Sequence, residues 1–349
     1  MELLGLSPEL LVLFVSFGFM VGVFFGFFGM GGSFLVTPAL LILGYPAPVA
    51  IGSSMAFVFG TAVIATLKHH DFGQVDYKLG ALMFVGIVLG IECGKMLVFA
   101  LEAVGQAELV VGIAYILLLG AIGIVFTRNA LSQDDVADDE QTDDDVADDE
   151  QTDDDIPEIA KKIKSYNIPP MVRLTDGSKA SMWTISGVGG GVGVVSGFLG
   201  VGGGFIRMPA IYYLIGVPLA AAVGTSLFGA LMSGAVGAFS YGLSGVIDLG
   251  VVTALLVGSA LGARIGSAST AYVDETDVTI YFGIMLLLAS AAVAFGELAN
   301  WLEMPVLDSV SFVMLVGSSL FVTVVILYYG AVSIREQKML ADATTHGDD

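Results

Sequence analysis

The chain has 349 residues, of which 56% are hydrophobic and only 13% charged, and its mean hydropathy is +0.87. A soluble domain carries about a quarter charged residues, so this balance excludes an ordinary soluble enzyme and points to a helical membrane protein. The net charge of −21 is concentrated rather than spread, because fourteen of the 34 acidic residues lie between 134 and 155.

The first apolar run, 10–28, has the roughly 20 residues that a spanning helix needs. No basic region precedes it, so it reads as an uncleaved first helix. It runs into GFFGMGGSFLVTP at 26–38. The apolar segment from Phe34 to Leu43 that follows is too short to span, since about ten helical residues cover only ~15 Å. Pro46 and Pro48 separate it from a helix at 48–67. A polar loop is expected from Lys68 to Lys78, holding His69, His70 and Asp71, then helices at 79–99 and 108–126. Cys93, the single cysteine, lies in an apolar run and reads as a small hydrophobe. The acidic stretch contains DVADDEQTDD twice in tandem, at 135–144 and 145–154. Such a run repels itself and forms no core, so it reads as a solvated, disordered linker.

Beyond the linker the pattern returns. Residues 197–209 read GFLGVGGGFIRMP, identical to 26–38 at seven of thirteen positions. After one inserted residue the offset moves from 171 to 172, and the match continues. Gly44-Tyr45-Pro46 pairs with Gly216-Val217-Pro218, Gly52-Ser53-Ser54 with Gly224-Thr225-Ser226, and the run from Gly73 to Asp76 with Gly245 to Asp248. Gly86, Gly90 and Gly94 pair with Gly258, Gly262 and Gly266. Helices are expected at 182–200, 205–215, 219–241, 248–268 and 278–298, with an extra one at 308–332. The organisation is therefore a first transmembrane repeat at 1–130, the linker at 131–180, and a second repeat at 181–300. An additional helix at 301–334 and a polar tail at 335–349 complete it.

The fold class is an all-α polytopic bundle of two repeated halves, with about 8–9 full spans and short half-helices at the glycine breaks. If the short segments are re-entrant, each half crosses four times and the repeats are parallel; if they cross, the repeats are inverted. Under the re-entrant reading Lys68, Lys78, Arg128 and the linker bases share one side, and Lys95, Arg207, Arg264, Arg335 and Lys338 the other. The positive-inside rule then puts the linker in the cytoplasm.

A repeated glycine break in a membrane helix is the best sequence pointer to a transport site. Irregular backbone survives in hydrocarbon only against protein or a water-filled cavity. Gly29, Gly31, Gly32 and Ser33 in the first half, and Gly200, Gly202, Gly203 and Gly204 in the second, let a ligand approach the main chain. Half-helices beginning at Phe34 and Phe205 would offer free N–H groups to an anion. Close helix packing is the competing reading, and it is preferred outright for the two glycine triplets. The hydroxyls of Ser53, Ser54, Thr225 and Ser226 suit anion donation, Na⁺ coordination or bonding back to their own helix. Arg207 and Arg264 are candidate anion contacts, because a guanidinium presents a donor fork to oxyanions. Glu92 and Lys95, one turn apart, are placed to pair. Asp76 and Asp248 are expected to cap helices. No P-loop continuation, zinc-ligand cluster or nucleophile elbow occurs, so no cofactor, bound metal or catalytic residue is expected.

The combination G-x-x-G-x-G-G-x-F-x-x-x-P, G-x-P, G-[ST]-S and G-x-[VI]-D, followed by a glycine-spaced helix, resembles the sulfite exporter TauE/SafE family of membrane permeases. The resemblance covers 14–126 and 182–298. It implies a transporter of small anions, including sulfite and organosulfur compounds such as sulfoacetate, often in export. The motif positions carried over are Gly29, Gly31, Gly32, Pro38, Gly200, Gly202, Gly203, Gly204 and Pro209. The acidic linker and the final helix depart from the family's compact pattern. The expected partners are the small anion, the lipid bilayer of the cell membrane and a coupling ion (H⁺ or Na⁺), without nucleic acid; a homo-oligomer is compatible. A channel-like uniporter and a non-transporting scaffold or sensor using the linker are the alternative functions.

Overall fold

The computed structural model describes residues 5–28, 32–71, 75–137, 169–173, 179–217, 219–269 and 275–345. The tandem acidic repeat lies almost wholly outside these residues. The first half comprises α1 (Pro8–Phe28), a 3₁₀ turn (Gly32–Leu35), α2 (Val36–Ile42), α3 (Ala47–Asp71), α4 (Tyr77–Ala103) and α5 (Ala107–Ala137). The second comprises α6 (Met182–Leu199), α7 (Gly204–Ala210) with a π-turn (Ile211–Ile215), α8 (Leu219–Leu243), α9 (Leu249–Ser269) and α10 (Glu275–Leu302). A last helix, α11, runs from Pro305 to Thr345. Eight of these helices are long and apolar enough to cross a membrane.

Several boundaries differ from the sequence expectation. The segment read as a polar loop from Lys68 is helical as far as Asp71, an extension of α3. α5 continues past its apolar part into the acidic sequence, to Ala137. Two short antiparallel strands, β1 (Met171–Arg173) and β2 (Lys179–Ser181), lie within the stretch read as disordered linker. The last helix extends well into the segment read as a tail, to Thr345.

The halves interlock. α1 lies along α9 of the second half, and its counterpart α6 lies along α4 of the first. Glycine makes both joints. A Cβ on Gly258, Gly262 or Gly266 would stand 1.9–2.2 Å from the carbonyl oxygens of Val15, Phe19 or Val23 in α1. A Cβ on Gly86, Gly90 or Gly94 would stand 2.0–2.5 Å from those of Ser186, Gly190 or Val194 in α6. No side chain fits at such separations, so backbone packs on backbone, as small residues permit in membranes. These triplets are packing elements, as read from their spacing.

The register of those contacts gives helix directions. Gly18, Gly22 and Gly26 face Leu255, Ser259 and Ala263 in ascending order, so α1 and α9 are parallel. The equivalent helices α3 and α8 are antiparallel: Gly52 faces Tyr241, Met55 faces Gly237, and Phe59 faces Gly234. So are α5 and α10, with Gly112 at Glu297 and Thr127 at Gly283. Equivalent helices that oppose each other define inverted repeats. The sequence left this open. The short segment tips the balance, because α2 carries the chain back towards the end where α3 begins.

This orientation corrects the charge assignment. One end of the bundle joins the starts of α4 and α8, through Thr225 and Asp76, and touches the β-hairpin, where Lys78 Nζ donates to the Arg173 carbonyl. α9 and α11 both begin at the opposite end and finish at this one. Arg264 near the end of α9, with Arg335 and Lys338 near the end of α11, therefore lie on the linker side rather than opposite it.

Candidate functional site

The two glycine breaks meet between the halves. Gly29 and Gly31 lie outside the described residues, so the first break is seen from Gly32 onward. Ser33, fully buried, donates through Oγ to the Val201 carbonyl in the second break at 2.8 Å. The equivalent residues Phe34 and Phe205 meet edge to face at 5.6 Å. Tyr115 of α5 donates to the Leu199 carbonyl just before the second break.

In the second break Gly200, Gly202 and Gly203 have φ of 77°, 62° and 73°. L side chains rarely adopt this left-handed region. Space is a second constraint. A Cβ on Gly200 would stand 2.8 Å from Thr37 Oγ1, and one on Gly202 2.5 Å from Val58 Cγ1. The second break is thus pressed against α2 and α3 of the first half. Gly204 opens α7, and Pro209 lies inside it, before the π-turn. Pro38 is buried in the first turn of α2.

The hydroxyl pairs have a role that none of the three expectations covered. Thr225 Oγ1 accepts from the Asp76 N–H at 3.0 Å, and Ser53 Oγ accepts from the Asp248 N–H, also at 3.0 Å. Each half thereby bonds the start of a helix in the other. The aspartates cap as expected. Asp76 Oδ1 accepts from Leu79 N–H at 2.9 Å, and Asp248 Oδ1 from Gly250 and Val251 N–H at 2.9 and 3.1 Å. The second hydroxyls hold the short helices: Ser54 Oγ accepts from Thr37 at 2.8 Å, and Ser226 Oγ donates to the Gly204 carbonyl at 2.8 Å.

Arg207, on α7, is fully buried. Its guanidinium donates through Nη1 to the Ser226 carbonyl at 3.1 Å and through Nη2 to the Gly202 carbonyl at 3.2 Å and to Ser233 Oγ. All three acceptors are neutral, and Nε has no partner among the described residues. A cation taken from water into a protein interior loses several kcal/mol of solvation, and three neutral acceptors offset this only in part. The arrangement leaves a buried positive charge at the second break. Its counterpart in the first half, Val36, is apolar and buried.

Arg264 does not share this setting, being exposed on α9. Lys95 turns from Glu92 to α8, where Nζ donates to the Ser240 carbonyl at 2.7 Å and to Ser240 Oγ at 3.0 Å. It also lies 5.7 and 5.8 Å from the ring centroids of Phe99 and Tyr241. Cys93 is exposed on an apolar helix. His69 and His70 belong to α3. Ser196 and Ser233, beside Arg207, escaped the sequence reading because serines in glycine-rich helices carry no signal of their own. Comparison in register would have exposed Ser196, which stands where the first half has Phe25, but not Ser233, which stands where it has Thr61.

A cavity of about 300 Å³ opens at the end away from the linker, between α2, α5, α10 and α11. Glu108, Glu297 and Asp308 line it, beside Pro38 and Tyr45. Burial, and then the Asp248 carboxylate, push the Tyr45 phenol above its ordinary value. Three carboxylates make this mouth unfavourable for an anion, which separates it from the Arg207 region.

The inverted halves, the paired breaks and the buried guanidinium define a polytopic membrane protein of duplicated architecture. A sequence model of the sulfite exporter TauE/SafE family matches residues 14–293, and the chain belongs to that family. It is 26% identical over 224 residues to a probable membrane transporter protein of Xylella fastidiosa (strain 9a5c), covering 64% of this chain and 70% of that one. It is 24% identical over 232 residues to another of that description from Bacillus subtilis (strain 168), covering 62% and 72%. A third, from Methanocaldococcus jannaschii, is 35% identical over 85 residues, 23% of this chain and 31% of its own. No solved structure matches.

Proposed function

We propose that this chain is a permease, not an enzyme, that moves small anions such as sulfite or organosulfur compounds across the cell membrane by alternating access between its inverted repeats. The observation that carries the reading is Arg207: fully buried, bonded among the described residues only to neutral acceptors, and placed at the glycine break where the halves meet. An anion there supplies the missing counter-charge. The glycine joints tie α1 to α9 and α6 to α4 backbone on backbone, so each pair is suited to move as one rigid piece during alternating access. The family description and the names of the relatives support transport, and export is the direction the family description gives. A gradient of H⁺ or Na⁺ or the membrane potential supplies the drive, since no nucleotide-binding sequence is present. The gathering of Arg264, Arg335 and Lys338 with Lys68, Lys78 and Arg128 at the linker end supports, by the positive-inside rule, a cytoplasmic linker.

The test is flux in proteoliposomes containing the full chain. Sulfite, thiosulfate and small sulfonates, offered singly against matched empty liposomes, should show protein-dependent movement for at least one. Movement of none of them, nor of any other small anion, defeats the reading.

A further inference from the structure

Two buried polar atoms beside the second glycine break have no partner among the described residues: Ser196 Oγ on α6 and Arg207 Nε on α7. Both residues are fully buried. Gly203 sits between the two side chains. A Cβ built on it would stand 2.5 Å from Ser196 Oγ and 3.2 Å from Arg207 Nη2. On α8, Gly229 lies close on the far side, where a Cβ would stand 2.7 Å from Nε. Ser233, one turn further along α8, accepts from Nη2. Three helices thus surround one guanidinium with two hydroxyls and two glycines. Buried polar atoms are almost always satisfied, so an unpartnered hydroxyl and an unpartnered guanidinium N–H on either side of one Gly203–Arg207–Gly229 cluster call for a ligand.

The inverted partner half provides a control within the same molecule. At the positions of Ser196, Arg207, Gly229 and Ser233 it holds Phe25, Val36, Phe57 and Thr61. The first three are buried apolar side chains. The Thr61 hydroxyl is bonded back to the carbonyls of Phe57 and Val58, at 3.0 and 3.1 Å. One fold position is therefore an under-bonded charged cage in the second half and a filled apolar plug in the first.

We infer that Ser196, Gly203, Arg207, Gly229 and Ser233 form one asymmetric site for a singly charged oxyanion, held by the guanidinium and the two serine hydroxyls. This deepens the transport reading above and rests on it. The charge follows from counting: among the described residues Arg207 is the one buried cation. A monoanion leaves the pair neutral. A dianion leaves a net negative charge in a medium of low dielectric, which is strongly unfavourable. Because the first half is plugged, the ligand sits to one side of the axis relating the repeats, not on it. The glycines at 203 and 229 let backbone pack directly against the Ser196 and Arg207 side chains, where any larger residue would collide with them.

The experiment uses the full-length protein in lipid nanodiscs at pH 8, titrated with methanesulfonate (charge −1) and sulfate (charge −2), read by thermal shift and calorimetry. Methanesulfonate should stabilise the wild type, with sulfate weaker by roughly tenfold or more. Ser196→Ala and Ser233→Ala should each weaken methanesulfonate by roughly tenfold, the usual effect of losing a hydrogen bond to a charged group. Unliganded Ser196→Ala should melt no lower than wild type, because it loses a hydroxyl that has no partner; a merely structural serine would lower it. Thr61→Ala, the counterpart in the plugged half, should bind as wild type does. Unchanged affinity in both serine variants, or sulfate binding as tightly as methanesulfonate, overturns the inference and leaves the transport proposal standing. A wild type that responds to no anion in titration and carries none in flux removes both.

Discussion

Gly90→Ala is the most quantitative perturbation of the joint between the halves. The added carbon would stand 2.2 Å from the Gly190 carbonyl oxygen, 2.7 Å from the Val194 nitrogen and 2.8 Å from the Gly193 carbonyl carbon. All three are backbone atoms of α6, so no rotamer change relieves the contact. A carbon and a carbonyl oxygen settle at about 3.3–3.6 Å, so α4 and α6 must separate by roughly 1 Å. Overpacking of this kind costs about 1–3 kcal/mol. Separation would also loosen the packing of Gly86 on Ser186 and Gly94 on Val194, which share the same face. Gly191→Ala is the matched control. It lies on α6 one residue from Gly190, yet a Cβ there meets nothing within 4 Å. At that position alanine should be neutral or stabilise by about 0.5–1 kcal/mol through its higher helix propensity. Thermal unfolding of the purified variants in one detergent should therefore move in opposite directions, down for Gly90→Ala and level or up for Gly191→Ala. Equal melting temperatures for the two would refute backbone-on-backbone packing at this joint.

Other expected outcomes follow from the cross-half bonds. Thr225→Ala removes the acceptor of the buried Asp76 N–H and should cost about 1–3 kcal/mol in thermal unfolding; Thr225→Ser should restore most of it. Ser53→Ala should cost less, because Asp248 is only half-buried and water can replace the hydroxyl. Tyr115→Phe removes the donor to the Leu199 carbonyl and should lower stability by about 1 kcal/mol without altering the anion selectivity of flux. Deletion of 138–158, beyond the end of α5, should leave flux intact if the acidic stretch only solvates; loss of flux with normal folding would assign it a part in transport.

The duplication, the glycine breaks and the packing role of the triplets were all legible, because each is written in spacing that recurs at a fixed offset. The relation between the halves was not. Hydropathy reports how many apolar residues a segment has but not which way it runs, and one ten-residue segment such as Phe34 to Leu43 decides between parallel and inverted repeats. The function of the hydroxyl pairs was equally hidden. Ser53 and Thr225 bond N–H groups 195 and 149 residues away, contacts that no local pattern encodes. Arg207 and Arg264 looked alike as lone arginines in apolar sequence; burial separates them, and burial belongs to the fold. The signal for Ser196 and Gly229 was present but lay in a difference. Each is small or polar where the otherwise matching half has phenylalanine, at Phe25 and Phe57. Repeats draw the eye to what they share, while an asymmetric site shows in what they do not.

The central claim is that a small anion crosses this protein by way of the buried Arg207. Counterflow of labelled sulfite into proteoliposomes, held at a mildly acidic pH where the hydrogen sulfite monoanion predominates, with wild type and Arg207→Gln reconstituted at equal amounts and checked for equal monodispersity, tests it most directly. The account predicts protein-dependent counterflow in the wild type and its loss in the variant, with Val36→Ala, the same change of position in the other half, retaining it. Undiminished counterflow in a folded Arg207→Gln variant would contradict the account.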